Sequence, residues 1–257
     1  MTQPDLGRFY DDFADGYHLL YADWNASLAR QGAALDALIR AHLGDRPAEV
    51  LDCACGIGTQ ALGLTALGHR VTGTDLSPAS AARATAEAAA RGLRLPTAVA
   101  DMRELPFPDG RFDVAVCADN ALPHLLTADD VRAALGEMRR VLRPNGLLLV
   151  TTRPYDELRR DRPASTAPQT AEHDGRRSVI FQLWQWREDG ERYDLELFRL
   201  LPDDTGQWQV VVRRSTYWAL TQDQLSAFAT EAGLSDVRWE QPADTGFFQP
   251  VLIARAP

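Results

Sequence analysis

The chain has 257 residues, of which 45% are hydrophobic, and its formal net charge is -9 at pH 7. These values exclude a chain that is disordered by composition, and the acidic balance argues against nucleic acid as a partner. Because no apolar run approaches ~18 residues and no signal-peptide pattern is present, we expect a cytoplasmic protein without a membrane segment.

Aromatic side chains recur at helical spacing over residues 8–24. Such a stripe fits either an amphipathic helix packed on the core or a lid that covers a ligand and excludes water. A second helix is expected over residues 26–43, ending at Gly44. We interpret residues 1–44 as N-terminal lid helices.

From residue 48 onward, short apolar segments alternate with amphipathic ones, which predicts an α/β fold. The strands are expected at 48–53, 69–74, 96–100, 112–117 and 147–152, and the helices at 58–67, 78–91 and 128–142. Five parallel strands with helical crossovers make a doubly wound, Rossmann-like sheet, which binds ligands at the carboxyl ends of its strands.

The pattern changes after residue 152. Residues 160–175 are rich in Pro, Ser, Thr, Asp and Gly and predict a loop. Three alternating segments separated by turns follow, at 178–187, 191–200 and 207–219. They predict a three-stranded antiparallel insertion over residues 178–219.

The C-terminal part predicts a helix at 221–232 and strands at 235–240 and 247–255. The two strands should complete a seven-stranded, mostly parallel sheet with an antiparallel edge strand. We therefore expect one single domain over residues 1–257.

The first predicted strand leads into a glycine turn, Asp52-Cys53-Ala54-Cys55-Gly56-Ile57-Gly58, and the second ends at Asp75. Glycines let the backbone approach a ligand closely, and an acidic side chain at Asp75 can accept the hydroxyls of a ribose. The acidic residue in the turn disfavours a pyrophosphate and favours a cationic ligand.

Polar residues also follow the third and fourth strands, as Asp101-Met102 and Asn120. Asp101 can accept the exocyclic amine of an adenine. The cysteines, Cys53, Cys55 and Cys117, fall in predicted buried strands and lack metal-ligand spacing, so no metal is expected.

The glycine turn and the polar strand ends resemble the class I methyltransferases that use S-adenosylmethionine (SAM). Further segments resemble the branch of the glycine N-methyltransferases and glycine/sarcosine methyltransferases. They are residues 10–18, Trp24, Asp119-Asn120-Ala121-Leu122-Pro123-His124-Leu125, Arg153-Pro154-Tyr155-Asp156 and Phe247-Phe248-Gln249-Pro250.

The resemblance implies methyl transfer to a small carboxylate-bearing acceptor, most often at nitrogen, with S-adenosylhomocysteine as the second product. It places Asn120 and His124 at the site of methyl transfer and Arg153 on the substrate carboxylate. The cofactor residues that it implies are Tyr17, Trp24, Arg30, Asp52, Ala54, Gly56, Gly58, Asp75, Leu76, Asp101, Met102 and Asn120.

Two of these roles have alternatives in the sequence itself. Arg153 ends a central strand without an acidic neighbour and suits a carboxylate, but it also fits a surface arginine. His124 is either a hydrogen-bond donor or base in the pocket, or a core histidine. The tryptophans of the insertion and the Phe247-Phe248 pair predict a hydroxyl-poor pocket for a larger or more apolar acceptor.

Other functions remain compatible with the sequence. One is a tailoring methyltransferase of secondary metabolism that acts on oxygen or carbon. Another is a SAM-binding module without catalysis. A homo-oligomer built through the N-terminal helices or the insertion is also compatible with this chain.

Overall fold

The computed structural model describes residues 6–173 and 176–257 of the chain. It contains a seven-stranded sheet with helices on both faces and a separate four-stranded antiparallel sheet. Residues 1–5 of the predicted lid and residues 174–175 of the predicted loop lie outside the described residues.

The strands of the large sheet are β1 (Glu49–Cys53), β2 (Arg70–Asp75), β3 (Thr97–Val99), β4 (Phe112–Cys117), β5 (Leu142–Thr151), β10 (Ser235–Glu240) and β11 (Val251–Arg255). The strands of the small sheet are β6 (Gln169–His173), β7 (Arg176–Trp186), β8 (Arg192–Pro202) and β9 (Trp208–Trp218). The α-helices are α1 (Leu6–Asp11), α2 (Trp24–Leu43), α3 (Thr59–Ala66), α4 (Pro78–Ala90), α5 (Ala128–Val141), α6 (Tyr155–Asp161), α7 (Gln222–Glu231) and α8 (Pro242–Thr245).

The large sheet has the strand order β10-β11-β5-β4-β1-β2-β3. Strands β1 to β5 are parallel, and β11 pairs antiparallel with both β5 and the edge strand β10. The predicted doubly wound, seven-stranded sheet with antiparallel pairing at one edge is therefore confirmed. Because the strand order reverses between β1 and β4, with β2 and β3 added on one side and β5 on the other, a crevice forms at the carboxyl ends of these strands.

Successive side chains along each strand point to opposite faces of the sheet, and this divides its core into two layers. Val50 and Val114 pack on the side of α2, α3 and α4, whereas Leu51 and Ala115 pack on the side of α5 and α7. A third cluster joins the small sheet to the N-terminal segment and α6, through Phe13, Tyr155, Ile180, Trp184, Tyr193 and Tyr217.

The predicted aromatic helix over residues 8–24 is wrong in its continuity. The structure has α1, a 3₁₀ helix at Ala14–Leu20 and then α2, which begins at Trp24. Side chains from other elements bind the carbonyl groups of this segment: Arg83 binds Ala14, and Arg199 binds Gly16. These outside donors replace the hydrogen bonds of a continuous helix.

The predicted three-stranded insertion is corrected to four strands. Strand β6 lies in the segment that was expected to be a loop and pairs antiparallel with β7, with Gln169 opposite Ile180. Because the segment that contains β6 is polar, its sequence does not indicate a strand. Pairing with the long strand β7 supplies the hydrogen bonds that make it a strand.

No helix among residues 6–173 and 176–257 is both long enough and apolar enough to cross a membrane.

Candidate active site

The loop between β1 and α3 has three residues in the left-handed region, Ala54 (φ 73°), Gly56 (φ 53°) and Gly58 (φ 93°). A Cβ atom at Gly56 would meet no atom of the described residues within 4 Å, so this glycine leaves open space beside the loop. A Cβ at Gly58 would lie 3.1 Å from Leu62 and 3.3 Å from Ala84. The missing side chain at Gly56 therefore leaves room for a ligand beside the loop, whereas the missing side chain at Gly58 allows the loop to pack against α3 and α4.

Asp75 ends β2 and holds the glycine loop in place. Its Oδ2 atom accepts the N–H of Gly56 at 2.8 Å, and its Oδ1 atom accepts the N–H of Ser77 at 2.8 Å. Burial raises the pKa of the Asp75 carboxyl, and the two backbone N–H groups oppose that shift.

A cavity of about 350 Å³ lies at the carboxyl ends of β1 to β4 and is bordered on one side by the N-terminal segment. This volume suits a small-molecule ligand. The predicted site residues that border it are Tyr17, Ala54, Gly56, Asp75, Leu76, Asp101, Met102 and His124.

Two predicted cofactor residues on α2 do not border the cavity. Trp24 is buried, and its Nε1 atom donates to Thr59 Oγ1 at 3.0 Å, so it acts on the cavity wall through Thr59. Arg30 is exposed and donates to Ser27 Oγ at 3.1 Å. Six residues along a helix rotate a side chain by about 240°, which turns Arg30 away from the face that holds Trp24.

Asp52 lies beneath the glycine loop rather than in the cavity lining. Neither carboxylate oxygen has a hydrogen-bond partner among the described residues. Burial raises the pKa of Asp52 to about 7, and the nearby charge of Asp75 acts in the same direction. A buried carboxyl without a partner is costly, and a cationic ligand group would remove that cost.

Asp101 shares one arginine with a second carboxylate at the far end of the cavity. Arg103 contacts Asp101 at 2.6 Å and Asp130 at 2.6 Å, and all three side chains border the cavity. Hydrogen bonds from Arg103 lower the pKa of Asp101. The sequence prediction did not include Arg103 or Asp130, because only the fold brings α5 beside the end of β3.

Two consecutive residues after β4 have left-handed backbones, Asp119 (φ 55°) and Asn120 (φ 67°). Strained conformations of this kind persist where the surrounding structure holds them, often at functional sites. The Oδ1 atom of Asn120 accepts the N–H of Arg153 at 3.1 Å. Its Nδ2 atom is buried and has no partner in the described part of the chain.

His124 borders the cavity and is bonded through both ring nitrogens. Its Nε2 atom lies 2.7 Å from Tyr10 Oη, and its Nδ1 atom lies 3.2 Å from Ser215 Oγ. Burial and the charge of Arg153 lower the pKa of His124 to about 3. The imidazole is therefore neutral at physiological pH and acts as a hydrogen-bonding group, not as a base of useful strength.

Arg153 lies in an aromatic enclosure between the two sheets. It donates to Tyr193 Oη at 2.7 Å, and its guanidinium lies 4.9 Å from the ring centre of Trp184 and 5.2 Å from that of Tyr217. Burial disfavours its charge, but the neighbouring phenol groups raise the pKa of Arg153 above its ordinary value. Arg153 forms no ion pair with a carboxylate of residues 6–173 or 176–257.

The expectation of a hydroxyl-poor pocket is wrong, whereas a tryptophan of the insertion, Trp184, does lie beside Arg153. Tyr10, Tyr17 and Tyr21 border the cavity, and within the described residues no tryptophan does. Tyr193 and Tyr217 face Arg153. The sequence offered a signal for Tyr10 and Tyr21, which lie in the aromatic N-terminal segment, but not for the direction in which they point.

The sheet order and the glycine loop have the arrangement of the class I SAM-dependent methyltransferase fold, and one family match to part of the chain agrees with this class. The family described as "Methyltransferase domain" matches residues 50–146, the part that carries β1 to β4.

Individual relatives agree with this class. A glycine/sarcosine N-methyltransferase of Parasynechococcus marenigrum is 38% identical over 152 residues, which cover 59% of this chain and 52% of the relative. A demethylmenaquinone methyltransferase of Thermus thermophilus is 38% identical over 145 residues, covering 55% of this chain and 62% of the relative. The chain thus spans about half to three fifths of the length of these curated relatives.

A solved structure resembles the whole fold. It is a SAM-bound amino pentose methyltransferase of Micromonospora echinaspora, with a TM-score of 0.73 over 90% of this chain and 92% of that one. At 22% sequence identity, this likeness shows a shared fold.

The charge of the cavity lining suits SAM. Four carboxylates border it, from Asp75, Asp101, Asp119 and Asp130, and a single bordering arginine, Arg103, opposes them among the described residues. This excess of negative charge suits a ligand with a sulfonium and an ammonium group. Asp52, whose oxygens have no hydrogen-bond partner among the described residues, and Gly56, beside which there is open space, are both at the junction of β1 and α3.

Proposed function

We propose that this chain transfers a methyl group from SAM to a small acceptor that carries a carboxylate, with an amine nitrogen as the methylated atom. The observation that carries the proposal is Arg153, a guanidinium in an aromatic enclosure that no described carboxylate neutralises. The glycine/sarcosine N-methyltransferase relative supports the same class of acceptor.

The residues that would hold the cofactor divide by region. The glycine loop would carry its amino acid tail, with Asp52 near the amino group, and Asp75 would accept the ribose hydroxyls. Asp101 and Met102 would border the adenine. When bound, SAM supplies a methyl group activated by its sulfonium.

The protein's own contribution in this proposal is orientation and exclusion of water. Arg153 would bind the acceptor carboxylate with its remaining N–H donors, and Asn120 would offer its free Nδ2 donor. The neutral His124 would hold Tyr10 in place through the 2.7 Å hydrogen bond. The N-terminal segment, which contributes Tyr10, Tyr17 and Tyr21 to the cavity, would act as the lid.

A substitution at Arg153 tests this function. Because the guanidinium fork binds carboxylates in two parallel hydrogen bonds, Arg153→Lys should raise the KM for an amino acid acceptor by about 10- to 100-fold. The Kd for SAM should change by less than about threefold, since Arg153 does not border the cofactor cavity. Steady-state kinetics and calorimetric SAM binding measure the two quantities.

Arg160→Ala is the matched control. Arg160 lies on α6 close to Arg153 in sequence, its side chain is 70% exposed, and it pairs with the neighbouring Asp161. It should leave both constants unchanged. Equal losses of acceptor and SAM affinity in Arg153→Lys would contradict the role of Arg153.

A second function is favoured by one observation. The amino pentose methyltransferase matches 90% of this chain, whereas the glycine/sarcosine relative aligns with 59% of it. A tailoring methyltransferase for a sugar or another secondary metabolite is therefore the alternative. A panel of glycine, sarcosine, other amino acids, aminosugars and phenols, with S-adenosylhomocysteine followed by mass spectrometry, separates the two. SAM binding without any product would indicate a module without catalysis.

A further inference from the structure

Asp119 differs from the other carboxylates that border the cavity. Asp101 and Asp130 share Arg103, and Asp75 accepts two backbone N–H groups. Asp119 accepts hydrogen bonds only from neutral side chains and has no ion pair with a described residue. Its negative charge thus faces the cavity without a cation in contact.

A network of hydrogen bonds holds this carboxylate in position. Tyr21 Oη donates to Asp119 Oδ2 at 3.0 Å, and Gln249 Nε2 lies 3.5 Å from Asp119 Oδ1. The N–H of Asp119 donates to Thr151 Oγ1, whose hydroxyl donates to Gln249 Oε1 at 2.7 Å. This arrangement orients the Gln249 amide and fixes Asp119 in its left-handed conformation, so the carboxylate is held in advance of any ligand.

We propose that Asp119 binds the ammonium group of the acceptor and takes its proton, so that the acceptor is a zwitterion held by Asp119 and Arg153 at its two ends. The inference rests on the proposed function. In this step the nitrogen–hydrogen bond breaks, its electron pair stays on nitrogen, and an oxygen–hydrogen bond forms on Asp119. The freed lone pair is what methyl transfer needs, because a protonated amine is not a nucleophile.

The charges around Asp119 are consistent with this role. Burial raises its pKa to about 6, while the hydrogen bond from Tyr21 and the charge of Arg153 oppose the shift. The other ionisable groups that act on it, Tyr17 and Tyr217, have pKa values raised by burial and stay neutral. Asp119 is therefore a carboxylate at pH 7 and loses its charge as the pH falls through about 6.

The experiment compares wild type with Asp119→Asn, using glycine and sarcosine as probes. The variant should bind glycine about 10- to 100-fold more weakly in the presence of S-adenosylhomocysteine, measured by calorimetry. Its kcat/KM should rise tenfold per pH unit up to the pKa of the free amine, because only unprotonated acceptor can react. Wild-type kcat/KM should instead level off above about pH 6.

Two further variants make the test specific. Tyr21→Phe removes the hydrogen bond that lowers the pKa of Asp119, so it should move the acidic limb of kcat/KM to higher pH. Tyr17→Phe is the comparison for the pH profile alone: Tyr17 borders the same cavity but donates no hydrogen bond to Asp119, so the pH at which kcat/KM falls should not move, whatever the effect on the rate. Asp129→Asn, whose side chain is 98% exposed, controls for the loss of one carboxylate.

The outcomes separate this inference from the proposed function. If wild type methylates an amine and kcat/KM of Asp119→Asn depends on pH in the same way as that of wild type, the role of Asp119 is overturned, but the proposed function is not. The role of Asp119 is also overturned if Asp119→Asn weakens SAM binding as much as glycine binding, because the carboxylate would then bind the cofactor. If wild type methylates oxygen or carbon acceptors but no amine, the proposed function fails and this inference fails with it. If Asp119→Asn does not fold, the shift in Tyr21→Phe decides.

Discussion

At the scale of single residues, the carboxyl groups of the site differ in their hydrogen-bond partners. Asp75 is held by backbone N–H groups and Asp101 by an arginine, whereas neither carboxylate oxygen of Asp52 lies within hydrogen-bond distance and geometry of a donor in the described part of the chain. Because burial without a partner penalises the charged form, these carboxyls differ in pKa although they lie at neighbouring strand ends.

Asp52→Asn should stabilise the ligand-free protein and weaken SAM binding. The folded-state pKa of about 7 lies above the ordinary value of 3.8, so the carboxyl destabilises the fold above pH 3.8, and fully above about pH 7. Removing the charge should raise the free energy of unfolding by on the order of 2–4 kcal/mol at pH 8 and by much less at pH 4. Urea denaturation at the two pH values measures this difference.

SAM affinity should fall by about tenfold in the same variant, because the ligand's amino group would lose its charged partner. Asp45→Asn, with a side chain that is 96% exposed, is the control and should change neither quantity. A stability gain of the same size at pH 4 and pH 8 would show that Asp52 is not the titrating group.

At the scale of elements, helices α2 and α3 approach each other through glycines. A Cβ at Gly63 on α3 would lie 2.5 Å from the carbonyl oxygen of Leu28 and 2.8 Å from the Cα of Gly32, both on α2. This close contact brings α2 against the helix that begins at the glycine loop. The position of the cavity wall at Trp24 and Thr59 depends on it.

Gly63→Ala should therefore destabilise the protein by about 1–3 kcal/mol, because backbone atoms cannot move aside as a side chain can. Gly136→Ala on α5 is the matched control, since a Cβ there would meet no described atom within 4 Å. It should stabilise by about 0.5–1 kcal/mol through helix propensity. Denaturant titration of both variants measures the difference, and equal effects would contradict the packing argument.

At the scale of the whole molecule, the N-terminal segment connects the two sheets around the cavity. Asp11 accepts a hydrogen bond from Ser77 at the start of α4, at 2.5 Å, which ties it to the large sheet. Phe13 packs in the cluster of the small sheet, and Arg199 of β8 binds the carbonyl of Gly16. A ligand in the cavity would therefore contact a segment that is bound both to the large sheet and to the small sheet.

Amide hydrogen exchange in residues 6–21 should slow by at least about tenfold when SAM is added, because a ligand that contacts the segment must dissociate before it opens. Exchange in α7, which lies on the other face of the large sheet and contributes no described residue to the cavity lining, should follow only global stability. Mass-spectrometric exchange of both regions is the measurement. Equal protection of both would indicate that the N-terminal segment does not act as a lid.

Much of this architecture follows from local patterns. Strands such as Phe112–Cys117 are predictable because a run of apolar residues between turns indicates a buried strand. The glycine turn is predictable from its glycines alone. Strand β6 and the break in the N-terminal helix were missed, since pairing with β7 and donors such as Arg83 come from distant parts of the chain. Arg30, which the family resemblance places at the cofactor, lies on an exposed face of α2 and contacts Ser27, because the packing of the helix decides which of its faces meets the cavity.

The sequence by itself determined the order of strands and helices, the glycine loop and the polar residues at the strand ends. These depend on periodicity and on backbone conformations that few residue types adopt. Only the tertiary structure decided which polar groups are paired and which are free. Tyr21 and Asp119 are 98 positions apart in the chain, and their hydrogen bond exists because the fold brings the N-terminal segment to the end of β4.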